Sequence, residues 1–153
     1  MEKMFVEIIE KKNAGVNLDE RYTYQYPIVM TYLKRKLKGW VFWDFFNRFQ
    51  TARIALYAIT EFTELIIGDY ENYKGTCCIE CIADRNYKMF YNGYMNYKVV
   101  SMEDLVEMKK SGAIDYIVNC SIFHENEIYD ALMKNGINQE NIISINSIVY
   151  EMG

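Results

Sequence analysis

Three short polar clusters hold the residue types that could do chemistry in this chain. They are Ala58-Ile59-Thr60-Glu61, then Asp84-Arg85-Asn86, then Asn119-Cys120-Ser121 with His124-Glu125 just beyond. Each follows a short apolar run that reads as a strand. In an open parallel sheet, ligands bind outside the carboxyl ends of the strands, where the strand order reverses. The sequence predicts that reversal between the first strand and the fourth, so the three clusters should converge on one place. Asp84 follows Thr60 by about 24 residues, close to the spacing of an acid that grips a ribose hydroxyl. Asp-Arg-Asn is also ordinary turn chemistry. Arg85 could accept a phosphate or pair with Asp84. His124, the only histidine, stands near a helix start, where it would serve as a general acid or base or simply face solvent. Ser121 reads most simply as a helix N-cap.

The first cluster carries the sharpest constraint. A strand at 54–57, a tight loop at 58–60 and an amphipathic helix at 61–70 form a unit whose loop would normally be the glycine-rich cradle of a phosphate. Glycines there let a pyrophosphate approach the backbone at a helix N-terminus. This loop has none. Side chains of Ala58 and Thr60 would stand in the approach, and Glu61 puts a negative charge where a phosphate would sit. Both oppose a dinucleotide. Neither opposes a neutral ligand, or one whose hydroxyls reach Thr60 and Thr63. No Gly-x-Ser-x-Gly elbow, P-loop, His-Glu-x-x-His or paired-carboxylate pattern occurs, and the acidic cluster and lysine of a receiver domain are missing. The residues therefore nominate a ligand site without naming a catalytic residue, a metal or a cofactor.

The elements that must position these clusters follow from periodicity. Strands are expected at 54–57, 78–83, 98–100, 115–121 and 142–145, with helices at 61–70, from Ser101 to Gly112, and from His124 to Asn135 with Gly136 as its stop. Residues 87–97 read as a loop, with Asn92-Gly93 as its turn. Ser101-Met-Glu-Asp104 has the form of a capping box with aspartate in the last place. Helices between short apolar strands imply right-handed crossovers and a mainly parallel sheet covered on both faces. The expected fold is three-layer α/β, with a Rossmann-like, mainly parallel sheet of about five strands over residues 51–153.

An all-α segment, residues 1–50, precedes it. Residues 3–13 suit a helix ending near Gly15, and 16–26 read as a loop. Pro27 opens a second helix with Ile28, Tyr32, Leu33 and Leu37 on its apolar side. Its basic run, Lys34-Arg35-Lys36-Leu37-Lys38, either complements the helix dipole or contacts phosphates or anionic lipid. In the aromatic stretch 40–49, Phe42, Phe45, Phe46 and Phe49 make a helical stripe that leaves Trp40 and Trp43 partly outside it. That predicts packing on the first helices, a homodimer interface or a protein partner.

The net charge of −4 gives no electrostatic reason to expect nucleic acid. No apolar run approaches the roughly 20 residues of a transmembrane span, and the N-terminus does not read as a signal peptide, so a cytoplasmic setting is expected. Cys77, Cys78, Cys81 and Cys120 are expected as free thiols in structural, buried positions. Cys78 and Cys81 have the spacing of a metal pair, but strand residues three apart point in opposite directions.

Five pieces of residues 53–146 form a distinctive series. They are Arg53-Ile-Ala-Leu-Tyr57 with Glu61-Phe-Thr-Glu-Leu65, Ile82-Ala-Asp-Arg85, and Tyr94 through Val99-Val-Ser-Met-Glu-Asp-Leu105. Asp115-Tyr-Ile-Val118 and Glu127-Ile-Tyr-Asp-Ala-Leu132 with Gly136-Ile137 complete it. In order and wording they resemble a family of small Rossmann-like domains in bacterial surface-polysaccharide biosynthesis proteins. Family members usually carry Gly-x-Gly where this chain has Ala58-Ile59-Thr60. The resemblance implies binding of a nucleotide or nucleotide-sugar. Two other readings stand beside it: a degenerate module that docks partners or dimerises through 40–49, and an NAD(P)-dependent oxidoreductase, which would need the phosphate loop.

Overall fold

The computed structural model describes residues 18–151, with side chains from residue 25 onward. The helix expected at 3–13 lies outside the described residues. Strands β1 (Arg53–Tyr57), β2 (Cys78–Ala83), β3 (Val99–Val100), β4 (Tyr116–Asn119) and β5 (Ile142–Ser144) form one sheet in the order β3-β2-β1-β4-β5. Every pairing in it is parallel. The helices are α1 (Leu18–Leu37), α2 (Glu61–Tyr70), α3 (Met102–Lys110), α4 (Glu125–Lys134) and α5 (Ile145–Val149). The strand order reverses between β1 and β4, as the alternation of elements predicts.

Strand alternation sorts the core into two layers. Ile54 and Leu56 of β1 face a cluster shared with α1, α2 and α5, whereas Ala55 and Tyr57 face one shared with α3 and α4. Helices on both faces of a parallel sheet make this a three-layer, Rossmann-like α/β fold. In β2 the register with β1 slips between Ile79 and Cys81. The extra residue, exposed Glu80, resets the alternation, so Ile79 and Ile82 join one cluster and Cys81 and Ala83 the other. Simple alternation across Cys78–Cys81 therefore does not hold. Cys81 is buried but Cys78 is exposed, against the expectation that all four cysteines are buried.

The N-terminal region departs from its sequence reading in two ways. Residues 18–26 are not a loop: α1 runs through them, and Pro27 lies inside the helix rather than in its first turn. An interior proline removes one intrahelical hydrogen bond. Burial of Ile28, Val29 and Tyr32 against the rest of the core offsets that cost. The aromatic stretch, in turn, is a 3-10 helix at Phe42–Arg48. With three residues per turn, Trp43 aligns with Phe46 rather than falling beside the stripe. Phe42, Trp43 and Phe46 are completely buried, and the Trp43 indole N–H donates to the Ile66 carbonyl at 2.6 Å. Trp40, Phe45 and Phe49 pack against the same cluster as partly buried residues.

Two cations of the basic run are used inside the molecule. Arg35 donates to the Val149 and Glu151 carbonyls at 2.7 and 2.9 Å and stacks on the Trp40 ring. These bonds tie α1 to the end of α5. Lys36 pairs with Asp69, whose carboxylate also receives the buried Tyr32 hydroxyl. Among the described residues no helix is long and apolar enough to cross a membrane.

Candidate functional site

The loop after β1 is built to be closed. Ala58 leaves the strand with φ of 80°, a left-handed conformation that a residue with a Cβ seldom adopts. Its N–H still donates to the Ala83 carbonyl at 2.7 Å, which holds it to β2. Thr60 then caps α2. Its hydroxyl accepts from the Phe62 and Thr63 N–H groups and donates to the Cys120 carbonyl at 2.9 Å. Thr63, fully buried, accepts from the Thr60 N–H at 3.0 Å and donates to the Ala58 carbonyl at 2.6 Å. Two threonines thus make a reciprocal capping box in which the usual acidic partner is replaced by a hydroxyl.

Asp84, at the end of β2, completes the closure. One carboxylate oxygen accepts from the Ile59 N–H and the other from the Asn86 N–H, both at 2.7 Å. The N–H groups of Ala58, Ile59, Thr60, Phe62, Thr63 and Glu64 therefore all have acceptors within the protein. A phosphate cradle works by offering unpaired N–H groups at a helix start. Here those of the loop and the first helical turn are already taken, apart from the Glu61 N–H. The missing glycines are one obstacle to a pyrophosphate, and this internal pairing is a second.

The third cluster is ordered by Asn119, which is buried at the end of β4. Its side chain donates to the Glu125 carbonyl and accepts from the Ser121 N–H, fixing the turn into α4. Ser121 is not the N-cap expected of it. Its hydroxyl accepts from the His124 N–H at 3.0 Å, in the turn before the helix, and His124 itself occupies the cap position. The extra turn at 121–124 delays the helix, which is why the cap falls three residues later. The His124 imidazole faces the Glu127 carboxylate at 3.3 Å and is half exposed.

These pieces surround one cleft of about 400 Å³ at the carboxyl edge of the sheet. Ala58, Ile59, Thr60, Glu61, Asp84, Arg85, Ser121 and His124 all line it, so the sequence-nominated residues come together in space. Tyr57, Gln25, Tyr94 and Phe123 line it too, and sequence reasoning missed them. Gln25 was hidden by the proline that made 16–26 look like a loop. Tyr57 had a signal: it is an amphipathic residue at the last position of a strand that points at the switch point. It is only 6% exposed. Burial and the Asp84 carboxylate push the Tyr57 phenol above its usual pKa, with Arg85 opposing them. The cleft is electrically mixed, with Glu61, Asp84 and Glu127 set against Arg85.

Thiol chemistry does not fit this site. Cys120 is completely buried beneath the third cluster, and burial pushes its thiol up to about 12. Burial likewise raises Cys81 to about 11. Neither forms the thiolate that a nucleophile or metal ligand requires near neutral pH. Among the described residues no group of three or more His, Cys, Asp or Glu side chains could hold a metal ion. Comparison of the chain with protein-family models, curated proteins and solved structures gives no match in any of the three.

Proposed function

We propose that this chain binds a nucleotide or nucleotide-sugar through its sugar and base end, with side chains rather than the loop backbone meeting any phosphate. The observation that carries this reading is the cleft at the strand-order reversal, whose loop N–H groups are all paired while Asp84 and Arg85 line its wall. Each Asp84 oxygen accepts one backbone N–H and keeps a second lone pair for a ligand hydroxyl. Arg85, the next residue, is an exposed cation that lines the same cleft, suited to a phosphate. The volume is within the range of small-molecule sites and suits one nucleoside or monosaccharide unit better than a dinucleotide. The resemblance of residues 53–146 supports a nucleotide-sugar of surface-polysaccharide metabolism. A docking role for 40–49 is weaker, because Phe42, Trp43 and Phe46 are spent on the protein's own core. An NAD(P)-dependent oxidoreductase is weaker still, because the loop closes itself.

Thermal shift against uridine, UDP, UDP-glucose and NAD+ tests the reading. A ligand at a hundredfold excess over its Kd stabilises by about 2.7 kcal/mol, several degrees in Tm. UDP-glucose should produce such a shift and NAD+ should not. Arg85→Ala should weaken UDP and UDP-glucose while sparing uridine. Silence from all four compounds, or tightest binding by NAD+, overturns it.

A further inference from the structure

We infer that Tyr57 is a specificity-determining contact in the cleft, its phenol hydroxyl meeting a hydroxyl of a sugar or nucleoside unit that also reaches Asp84. This rests on the cleft being a ligand site, as proposed above. Tyr57 closes β1, is 6% exposed and lines the cavity, yet among the described residues its hydroxyl has no hydrogen-bond partner. Other buried polar groups around it are spoken for: Thr60 and Thr63 in the capping box, Asn119 in the turn to α4, Ser121 on the His124 N–H. The side chain is largely buried, and a hydroxyl with no protein partner must find one in whatever fills the cavity, water or ligand. Since this residue borders the cavity, a molecule in the cavity can supply the partner.

The neighbours define what that molecule is. Asp84 can only accept, whereas a phenol both donates and accepts. An alcohol matches the two together, donating to the carboxylate while accepting from the phenol. An apolar ligand would leave the Tyr57 hydroxyl unpaired, and an anionic group at this point would face the Asp84 charge. Arg85 lines the same cleft, where its guanidinium can meet a phosphate attached to the same unit, and it too acts on the phenol electrostatically. A phenol is protonated at neutral pH, and burial raises its pKa further, so Tyr57 is a donor there.

Tyr57→Phe removes the hydroxyl and keeps the ring. Titration calorimetry with UDP-glucose and with uridine, on wild type and variant, is paired with the melting temperature of each free protein. The expected result is a loss of about tenfold in affinity, with the free variant melting no lower than wild type. If the variant binds within twofold of wild type, Tyr57 is not a contact, although the cleft remains a ligand site. If the free variant melts several degrees lower, the hydroxyl has an internal partner and the inference fails. If wild type binds neither compound, the reading of the cleft itself falls, and this inference with it.

Discussion

The aromatic layer under α1 and the cleft at the carboxyl edge of the sheet treat their polar atoms in opposite ways. In the layer, every notable polar group of a buried ring is turned inward and paired: the Trp43 indole with Ile66, the Tyr32 hydroxyl with Asp69. Rings meet rings along a continuous chain from Trp40 through Phe42, Trp43 and Phe46 to Phe49. In the cleft, packing stops, a non-glycine residue holds a left-handed backbone, and the Tyr57 hydroxyl lacks an internal partner among the described residues. An aromatic-rich stretch in a sequence invites a search for an interface. Here the aromatics build the core, and the cleft lies elsewhere.

The largest effect is expected in the aromatic layer. Trp43→Ala deletes a completely buried side chain and leaves the Ile66 carbonyl without that donor. Losses of this kind cost about 3–5 kcal/mol through lost transfer energy and the cavity left behind. Urea denaturation should therefore show a large drop in midpoint with little change in slope. A cost below about 1 kcal/mol would mean that Trp43 is not part of the folded core, and the docking role of 40–49 would return.

A smaller effect of opposite sign is expected at the cleft. Ala58 pays roughly 1–2 kcal/mol for its left-handed conformation. Ala58→Gly removes that strain but gives the unfolded chain more freedom, a cost of about 0.4–1 kcal/mol. The net should be a stabilisation of about 0.5–1 kcal/mol, measured by chemical denaturation. Because the loop N–H groups stay paired to Asp84 and the threonines, the variant should still not bind NAD+. A destabilised variant would show that the Ala58 methyl, which packs beside the second core cluster, contributes more than the strain costs.

These contrasts also mark what a sequence can and cannot disclose. The α/β body was legible because strand and helix periods are strong and glycines end helices where expected, as at Gly112 and Gly136 with φ of 82° and 87°. Pro27 misled because a local rule about helix starts was overruled by burial of Ile28, Val29 and Tyr32. The 3-10 winding of Phe42–Arg48 was illegible because the same phenylalanines satisfy an α-helical stripe and a three-residue period almost equally. At the site, the three clusters and their convergence followed from topology. The closure of the loop did not, because Thr60-Glu-Phe-Thr63 lacks the acidic residue that usually signals a capping box. The β2 bulge at Glu80 was equally hidden, since it is set by pairing with β1 and not by the strand's own residues.

The smallest effect is expected at the opposite edge of the sheet, where the amino ends of β1 and β4 are pinned by Arg53 and Asp115. The Asp115 carboxylate accepts from the Arg53 backbone N–H at 2.9 Å and from two guanidinium nitrogens at 3.0 and 3.2 Å. These hydrogen bonds hold its carboxyl below the usual range. A carboxylate whose folded pKa is depressed contributes stability that is present above its unfolded pKa and is lost as pH falls through the folded one. Asp115→Asn should therefore melt slightly below wild type near pH 7, with the gap narrowing through the acidic carboxylate range and closing beneath it. The pair is solvent-exposed, at 47% and 31% of its side-chain surface, so screening keeps the gap small. Melting curves between about pH 7 and about pH 3 measure it, and UDP-glucose affinity at neutral pH should not change. A gap that persists unchanged into acid would assign the loss to the backbone hydrogen bond and not to the charge. A change in affinity would mean that the two edges of the sheet are coupled, and that the cleft does not act alone.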